Sequence, residues 1–234
     1  MDRRNFSSAC LALPGAWVLL ATQQAYALSL GDLSAGDASS GVKAALEKGA
    51  NVAVDLLGRP DGFLGNPRVR ITLPGSLEKG VQMLRMIGQG DRIDELVTAM
   101  NRAAEQAVPA SKDLLLGAVR SMSVSDAKGI LTGGETSVTQ FFVGKTRTPL
   151  TERFLPIVTT ATARVQLADK YNKIAGKASG MGLMKAEDAN IQRYVTGKSL
   201  DGLYLVIGDE ERKIRQDPVG SGSAILQKVF GALR

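Results

Sequence analysis

The chain has 234 residues, of which 44% are apolar and 22% charged, and its 29 Lys and Arg against 23 Asp and Glu give a formal net charge of +6. This composition is typical of a globular protein that can bury a core, and it excludes the disordered and collagen-like classes. With no His and only one Cys, at position 10, the chain lacks the side chains for an internal disulfide, for Ser-His-Asp or Cys-His catalysis, and for zinc, copper or haem sites built from those ligands.

The first 27 residues have the pattern of an export signal. Arg3 and Arg4 precede a mostly apolar stretch, residues 9–21, and Ala25-Tyr26-Ala27 supplies a small-x-small cleavage site. The apolar stretch is shorter than the ~20 residues that span a bilayer. We therefore expect cleavage after Ala27, a periplasmic location, and no transmembrane span in the mature chain. The paired arginines also fit twin-arginine export, so general secretion and that route both stay open.

From residue 41 onward, almost every segment has the apolar periodicity of an amphipathic helix. Residues 28–40 are small and polar and predict a flexible lead-in, with Ser39 and Ser40 capping the first helix and Gly58 ending it. Further along the chain, glycines, serines and prolines mark the starts and ends of more helices, each with its own stripe of apolar residues. Clear stripes are Leu77, Val81, Leu84 and Ile87; Ile93, Leu96, Val97, Met100, Ala104 and Ala107; and Ile191, Tyr194 and Val195.

Two features complicate this pattern. A helix is expected from about Thr136 to Lys145, and Pro149 is expected to open the next one, because proline suits the first turn of a helix. Residues Val69–Leu73 alternate like a strand, but a single strand cannot form a sheet. The sequence therefore predicts an all-α fold, with one multi-helix domain over residues 41–234. We expect about nine or ten helices and one Gly/Pro-rich loop near residues 58–75.

The acidic triplet Asp209-Glu210-Glu211 has two interpretations. In a pocket, such carboxylates could serve an envelope hydrolase that cleaves glycans without His or Cys. On a helix that continues into basic residues, they are instead expected to form i,i+4 pairs, Asp209 with Lys213 and Glu211 with Arg215. Because the second interpretation needs no ligand, no catalytic residue, cofactor or metal site is predicted.

The segment Gly58-Arg59-Pro60-Asp61-Gly62-Phe63-Leu64-Gly65-Asn66-Pro67 belongs to an ordered series of specific motifs. The series continues with Ile71–Pro74, Asn101–Glu105, Asp126–Gly134, Tyr194–Thr196, Leu200–Tyr204 and Lys213–Pro218. Over roughly residues 40–231, the chain resembles the bacterial domain-of-unknown-function family DUF4197. The resemblance implies an exported, mainly helical protein, and it transfers no activity, ligand or catalytic residue.

The loop that opens this series has its own physical interpretation. Three glycines and two prolines within residues 58–67 fix tight turns, in which Asp61 and Asn66 can hydrogen-bond to nearby backbone. One interpretation is a rigid loop that buries Phe63 and Leu64 between helices. The other is a recognition loop whose rigidity presents polar side chains to a partner. The sequence leaves both open.

A candidate binding surface combines this loop with the end of the late helix. In both places, charged side chains lie beside proline-constrained backbone, which holds them in a defined geometry. The surface is expected to be either an internal ion-pair network or a site for an anionic group, because guanidinium binds carboxylate or phosphate with two hydrogen bonds. Its residues are Arg59, Asp61, Asn66, Arg212 and Arg215.

The leading functional hypothesis is a non-catalytic periplasmic or envelope-associated protein that binds a partner or an apolar or anionic ligand in a groove between helices. An envelope protein, a lipid and an anionic glycan are the candidate partners, whereas dispersed charge and 5% aromatic residues disfavour nucleic acid. The alternatives are the carboxylate-only hydrolase and a structural accessory protein. Two carboxylates about 5–9 Å apart with a raised pKa would favour hydrolysis, and an apolar channel would favour ligand carriage.

Overall fold

The computed structural model describes residues 34–134, 136–182, 184–220 and 223–231. Within these ranges the chain forms nine α-helices and two short 3-10 helices, Gly75–Leu77 and Val108–Ser111, and it contains no strand. The predicted single all-α domain is confirmed, and the predicted signal peptide lies outside the described residues. The α-helices are α1 (Ala35–Leu57), α2 (Glu78–Met86), α3 (Gly90–Ala107), α4 (Lys112–Arg120), α5 (Val124–Thr132), α6 (Ser137–Thr162), α7 (Gln166–Gly180), α8 (Ile191–Gln216) and α9 (Ala224–Gly231).

Helix α8 lies at the centre of the domain and packs against α1, α3 and α6. Apolar residues recur around it, and a helix of that kind needs neighbours on several sides. Leu203 and Ile207 are completely buried as a result. Tyr204 is buried as well, with its hydroxyl 2.9 Å from Thr146 Oγ1 on α6, and burial raises its pKa. None of the helices in the described ranges is both long and apolar enough to cross a membrane.

Helix α1 includes residues 35–40, which the sequence assigns to the flexible lead-in. Its cap is Ser34, whose Oγ accepts the N–H of Asp37 at 3.0 Å, so the prediction that Ser39-Ser40 caps the helix is wrong. The physical reason is tertiary. Helix α9 packs along α1, and Lys228 Nζ lies 2.9 Å from Asp37 Oδ2. These contacts stabilise a first turn that its own small residues would leave frayed.

Helix α6 runs without interruption through Pro149 and Pro156, so the prediction that Pro149 opens a separate helix is wrong. A proline inside a helix removes a hydrogen bond and costs about 3 kcal/mol. Burial of each large apolar side chain contributes about 1.5–3 kcal/mol, and the continuous helix buries an unbroken stripe with a four-residue repeat. The stripe consists of Val138, Phe142, Thr146, Leu150, Phe154 and Val158.

The alternating segment Val69–Leu73 forms no strand, yet its alternation is retained. Val69 and Ile71 are buried, whereas Arg70 and Thr72 are exposed. Without a neighbouring strand, the backbone polar groups of this extended segment must find other partners. Side chains from α3 and α8 supply them, which positions the whole loop between α1 and α2.

Helix α2 contains no buried residue and is held mainly by α3. Met86 and Ile87 at its C-terminal end are 80% and 66% exposed, so the predicted apolar stripe is only partly covered. Gly88 follows with φ +76°, a conformation that glycine adopts without a Cβ clash. Helix α2 is thus an amphipathic segment laid on the surface of the domain.

Candidate functional site

The loop after α1 is tied to α3 by one buried carboxylate. Glu105 Oε1 accepts hydrogen bonds from the backbone N–H groups of Phe63, at 3.0 Å, and Leu64, at 3.1 Å. Its Oε2 accepts Arg102 Nη1 at 2.7 Å. A buried carboxylate is tolerated when both oxygens have such partners. Glu105 therefore holds the loop in place while Phe63 is completely buried.

Asp61 extends this network to the protein surface. Arg102 Nη2 donates to Asp61 Oδ1 at 2.8 Å, so one guanidinium bridges Glu105 and Asp61. The hydrogen bonds to Glu105 and then to Asp61 raise the pKa of Arg102. Asp61 has φ +64°, a left-handed conformation that Asp tolerates better than most residues. The tertiary contacts with α3 stabilise this turn.

Asn101 takes the place of a neighbouring strand for Ile71. Ile71 N–H donates to Asn101 Oδ1 at 2.8 Å, and Asn101 Nδ2 donates back to Ile71 C=O at 2.8 Å. One residue further, Tyr194 on α8 donates its hydroxyl to Thr72 C=O at 2.8 Å. Burial, with a smaller effect of the charge on Asp188, raises the pKa of Tyr194 to about 12. The extended segment is thus bonded on two sides by helix side chains.

Arg68 joins the end of the loop to α8. Arg68 Nη1 lies 2.5 Å from Asp209 Oδ2, and Arg212 Nη1 donates to Asp209 Oδ1 at 2.9 Å. The Asp209 side chain is only 10% exposed, so the two arginines compensate a nearly buried charge. The hydrogen bond to Asp209 raises the pKa of Arg68. Asn66, whose Oδ1 accepts the Arg68 N–H at 3.2 Å, adjoins the same cluster.

Arg215 belongs to a separate cluster where α8 meets α5 and α9. Its Nε and Nη2 lie 3.0 and 2.6 Å from Glu211 Oε1. Nη2 and Nη1 also donate to the carbonyls of Ile130 and Leu131 near the end of α5, at 3.4 and 3.5 Å. The guanidinium carbon is 5.6 Å from the centre of the Phe230 ring, which is cation–π distance. Arg215 therefore links three helices.

The five candidate surface residues lie in different surroundings. Asp61 is in the Glu105 network, Asn66 and Arg212 adjoin Arg68, and Arg215 is in the α5–α9 cluster. The Arg59 side chain is exposed and forms no ion pair with another described residue. The loop and α8 meet through Arg68 and through the hydrogen bond from Tyr194 to Thr72, and neither Arg68 nor Tyr194 is among the five predicted residues.

Two of the residues that hold the loop carry a signal in the sequence. Asn101 and Glu105 are polar residues one helical turn apart within the apolar face of α3. Burial of a polar side chain there is costly unless it has hydrogen-bond partners, so the two residues are expected to bind other polar groups. Their positions belong to the motif Asn101–Glu105, yet neither residue is among the predicted site residues. Arg68 carries no comparable signal, because its partner Asp209 is distant in the chain.

The acidic triplet is occupied by ion pairs. The predicted pair of Glu211 with Arg215 is confirmed, at 2.6 Å. The predicted pair of Asp209 with Lys213 is wrong: Lys213 pairs with Glu210 at i,i+3, while Asp209 binds arginines. Asp209 binds arginines and not Lys213 because the fold brings Arg68 of the loop next to it. Within the described ranges, no group of three or more Asp, Glu, His or Cys residues is arranged to hold a metal ion.

A second feature of the molecule is a cavity between α2, α3 and α7, which we call the apolar groove. Its volume is about 120 Å³. A cavity of about 510 Å³ adjoins it on the other side of α2 and shares Leu73, Val81 and Ile93 with it. The apolar groove is lined by Leu73, Leu77, Gly80, Val81, Leu84, Ile93, Leu96, Leu167, Lys170, Tyr171 and Ile174.

A third cavity, the basic cavity, lies between the start of α3 and the start of α7. Its volume is about 260 Å³, and it shares Leu167 and Lys170 with the apolar groove. The two cavities are therefore neighbours with one hydrophobic and one cationic side chain in common. The basic cavity is lined by Arg92, Glu95, Arg164, Leu167 and Lys170.

The family model described as a protein of unknown function, DUF4197, matches residues 32–231, so the chain belongs to this family. The match spans every helix from α1 to α9, and both the loop network and the three cavities lie inside it. Neither a curated protein nor a solved structure matches the chain.

Proposed function

We propose that this protein is a non-catalytic binding protein of the bacterial envelope that holds the hydrocarbon part of a ligand in the apolar groove. The observation that carries the proposal is the groove's lining, in which eight of eleven residues are Leu, Ile or Val and only Lys170 is charged. Concave, mostly apolar clefts with a few polar groups are typical of small-molecule sites. An apolar lining of this kind favours ligand carriage over hydrolysis.

Helix α2 serves as the movable cover of this groove. The groove's volume of about 120 Å³ is small beside the roughly 300–1,000 Å³ of typical ligand clefts, so we expect a longer hydrocarbon chain to require a shift of α2. Helix α2 buries no residue of its own. Its displacement would join the groove to the cavity of about 510 Å³ that shares three of its walls.

One exposed ion pair closes this cover onto α3. Arg85 Nη2 and Nη1 lie 2.5 and 3.3 Å from the two carboxylate oxygens of Asp94. The hydrogen bond from Arg85 lowers the pKa of Asp94. Exposed pairs of this kind contribute little stability, because water and salt screen the attraction between the two charges. The cover can therefore open at small cost.

Two helices that form the groove carry large apolar side chains that face solvent. Met83 on α2 and Ile174 on α7 are each 62% exposed. Methionine is unbranched and polarisable and adapts to irregular apolar ligands, and contiguous exposed apolar surface is typical of interaction sites. Ile174 lines the groove itself, so part of this exposed apolar surface belongs to the proposed site.

The envelope location rests on the N-terminal pattern of Arg3 and Arg4, the apolar stretch and Ala25-Tyr26-Ala27. Intact-mass measurement of the protein recovered from the periplasm tests it. The expected mature protein starts at Leu28. A protein that keeps Cys10, with or without lipid, contradicts this part of the proposal.

The assignment of the groove as the binding site is tested by a substitution at Gly80 that places a large side chain in it. A Cβ at Gly80, and equally at Gly144 on α6, meets no atom within 4 Å, so the first atom of a new side chain causes no clash at either position. Gly80 lines the apolar groove, whereas Gly144 lines none of the three cavities. We expect the wild type and Gly144→Phe to bind the fluorescent probe N-phenyl-1-naphthylamine saturably, and Gly80→Phe to lose binding with an unchanged melting temperature.

Two results would overturn the assignment. Probe binding that persists in Gly80→Phe places the hydrocarbon site elsewhere. A dimer in sedimentation equilibrium that Gly80→Phe dissociates, without probe binding to the wild type, assigns the groove to self-association instead.

A further inference from the structure

The basic cavity is lined by positively charged side chains that form no ion pair with the rest of the described chain. Arg92, Arg164 and Lys170 face a single carboxylate, Glu95, which leaves a formal excess of two positive charges. None of the three forms an ion pair with another described residue. Arg68, by contrast, pairs with an acid of the core. The cavity's positive charge is thus available to a ligand.

The position of Lys170 connects this charge to the apolar groove. Lys170 lines both cavities, and a lysine can lay its hydrocarbon stem along apolar surface while its ammonium group reaches a polar site. Leu167, three residues earlier on the same face of α7, lines both cavities as well. A ligand with a hydrocarbon tail in the groove would therefore place its polar end in the basic cavity.

We infer that the ligand is a single-chain amphiphile with a phosphate monoester head, which Arg92, Arg164 and Lys170 bind. This inference rests on the proposed function of the apolar groove. A phosphate monoester carries about −1.5 to −2 charges at pH 7, which matches the excess of two positive charges better than the single charge of a carboxylate. Guanidinium groups bind phosphate oxygens with two parallel hydrogen bonds.

The experiment compares three probes with the same twelve-carbon chain, dodecyl phosphate, dodecanoate and dodecanol, below their micelle-forming concentrations. Their affinities are measured by displacement of N-phenyl-1-naphthylamine from the full mature chain. We expect dodecyl phosphate to bind about tenfold more tightly than dodecanol, with dodecanoate between them, as one or two charge-assisted hydrogen bonds imply. Inorganic phosphate is titrated in parallel and is expected to bind far more weakly than dodecyl phosphate, because it lacks the tail.

Variants locate the head group. Arg164→Ala is expected to weaken dodecyl phosphate binding by about tenfold and to leave dodecanol binding unchanged. Arg120→Ala is the matched control, because Arg120 on α4 is also exposed but lines none of the three cavities. It is expected to change neither affinity.

Each contrary outcome has a separate meaning. Equal binding of the three probes overturns the head-group inference and leaves the proposed function standing. Absence of binding by all three overturns the proposed function as well. A phosphate preference that survives Arg164→Ala, Arg92→Ala and Lys170→Ala places the head group elsewhere. Inorganic phosphate that binds as tightly as dodecyl phosphate identifies a free-anion site and contradicts the amphiphile.

Discussion

Asn101 and Ile71 exchange two hydrogen bonds of 2.8 Å each, so a helix side chain does for this extended segment what a second strand would do in a sheet. Both residues are buried. The same amide also donates to Val97 C=O, one turn earlier in α3. Asn101 thereby uses both its acceptor and its donors, and it holds the loop between α1 and α2 against α3.

Asn101→Leu should destabilise the fold by about 3 kcal/mol, because the N–H and C=O of Ile71 stay buried without a partner. The measurement is the free energy of unfolding in urea. Gln106→Leu, at an exposed position of the same helix, is the control and should change that free energy by less than about 0.5 kcal/mol. Equal effects of the two substitutions would show that the amide contributes nothing specific.

Gly202→Ala should destabilise the fold by about 1–3 kcal/mol, the usual cost of overpacking. A Cβ on Gly202 would lie 2.9 Å from Cε1 of the fully buried Phe63 and 3.2 Å from Cβ of Val69. Gly197→Ala on the same helix meets no atom within 4 Å. It should stabilise the protein by about 0.5–1 kcal/mol, because alanine is the better helix former. Changes of the same sign in both variants would contradict the proposed packing of the loop on α8.

Arg215→Ala should cost about 3 kcal/mol or more, because it leaves the charge of Glu211, whose side chain is 4% exposed, buried without its partner. Arg59→Ala should be neutral within about 0.5 kcal/mol, because that side chain is exposed. Thermal melts of the two variants compare them directly. If Arg215→Ala melts like the wild type and loses a bound ligand, Arg215 is a binding residue and not part of the scaffold.

Alkaline pH should destabilise the protein through its buried tyrosines. Burial raises the pKa of Tyr194 from an ordinary value of 10.0 to about 12, and it raises those of Tyr171 and Tyr204 too. Between these values the folded chain binds more protons than the unfolded chain, so the free energy of unfolding falls as pH rises. Stability from this source is complete below pH 10.0 and lost toward about pH 12.

Tyr194→Phe isolates the contribution of one of these groups. Urea unfolding at pH 8, 10 and 11 should give a smaller decrease in stability for this variant than for the wild type. Its stability at pH 8 should already be lower by about 1 kcal/mol, because the hydrogen bond to Thr72 C=O is lost. If the free energy of unfolding falls equally in the variant and the wild type between pH 10 and 11, the ionisation of Tyr194 is not coupled to unfolding.

Local signals in the sequence account for much of what could be predicted. Gly58 is the C-cap of α1 and Gly133 that of α5, and Ser123 caps α5 in a capping box with Asp126. The i,i+4 pair of Glu211 and Arg215 forms on α8. Caps and pairs of this kind depend on residues within one turn of each other, so local spacing predicts them except where tertiary contacts intervene, as they do at the start of α1 and at Asp209.

The amino-acid sequence by itself determined the all-α class, the single domain and the family, because apolar periodicity and motif order are properties of neighbouring residues. Only the tertiary structure decided that α6 continues through Pro149, that Glu105 anchors Phe63, and that Arg68 reaches Asp209. It also decided that α2, α3 and α7 enclose an apolar groove beside a basic cavity. These features join residues far apart in the chain, and their energies come from burial and from compensation of buried charge, which no local spacing encodes.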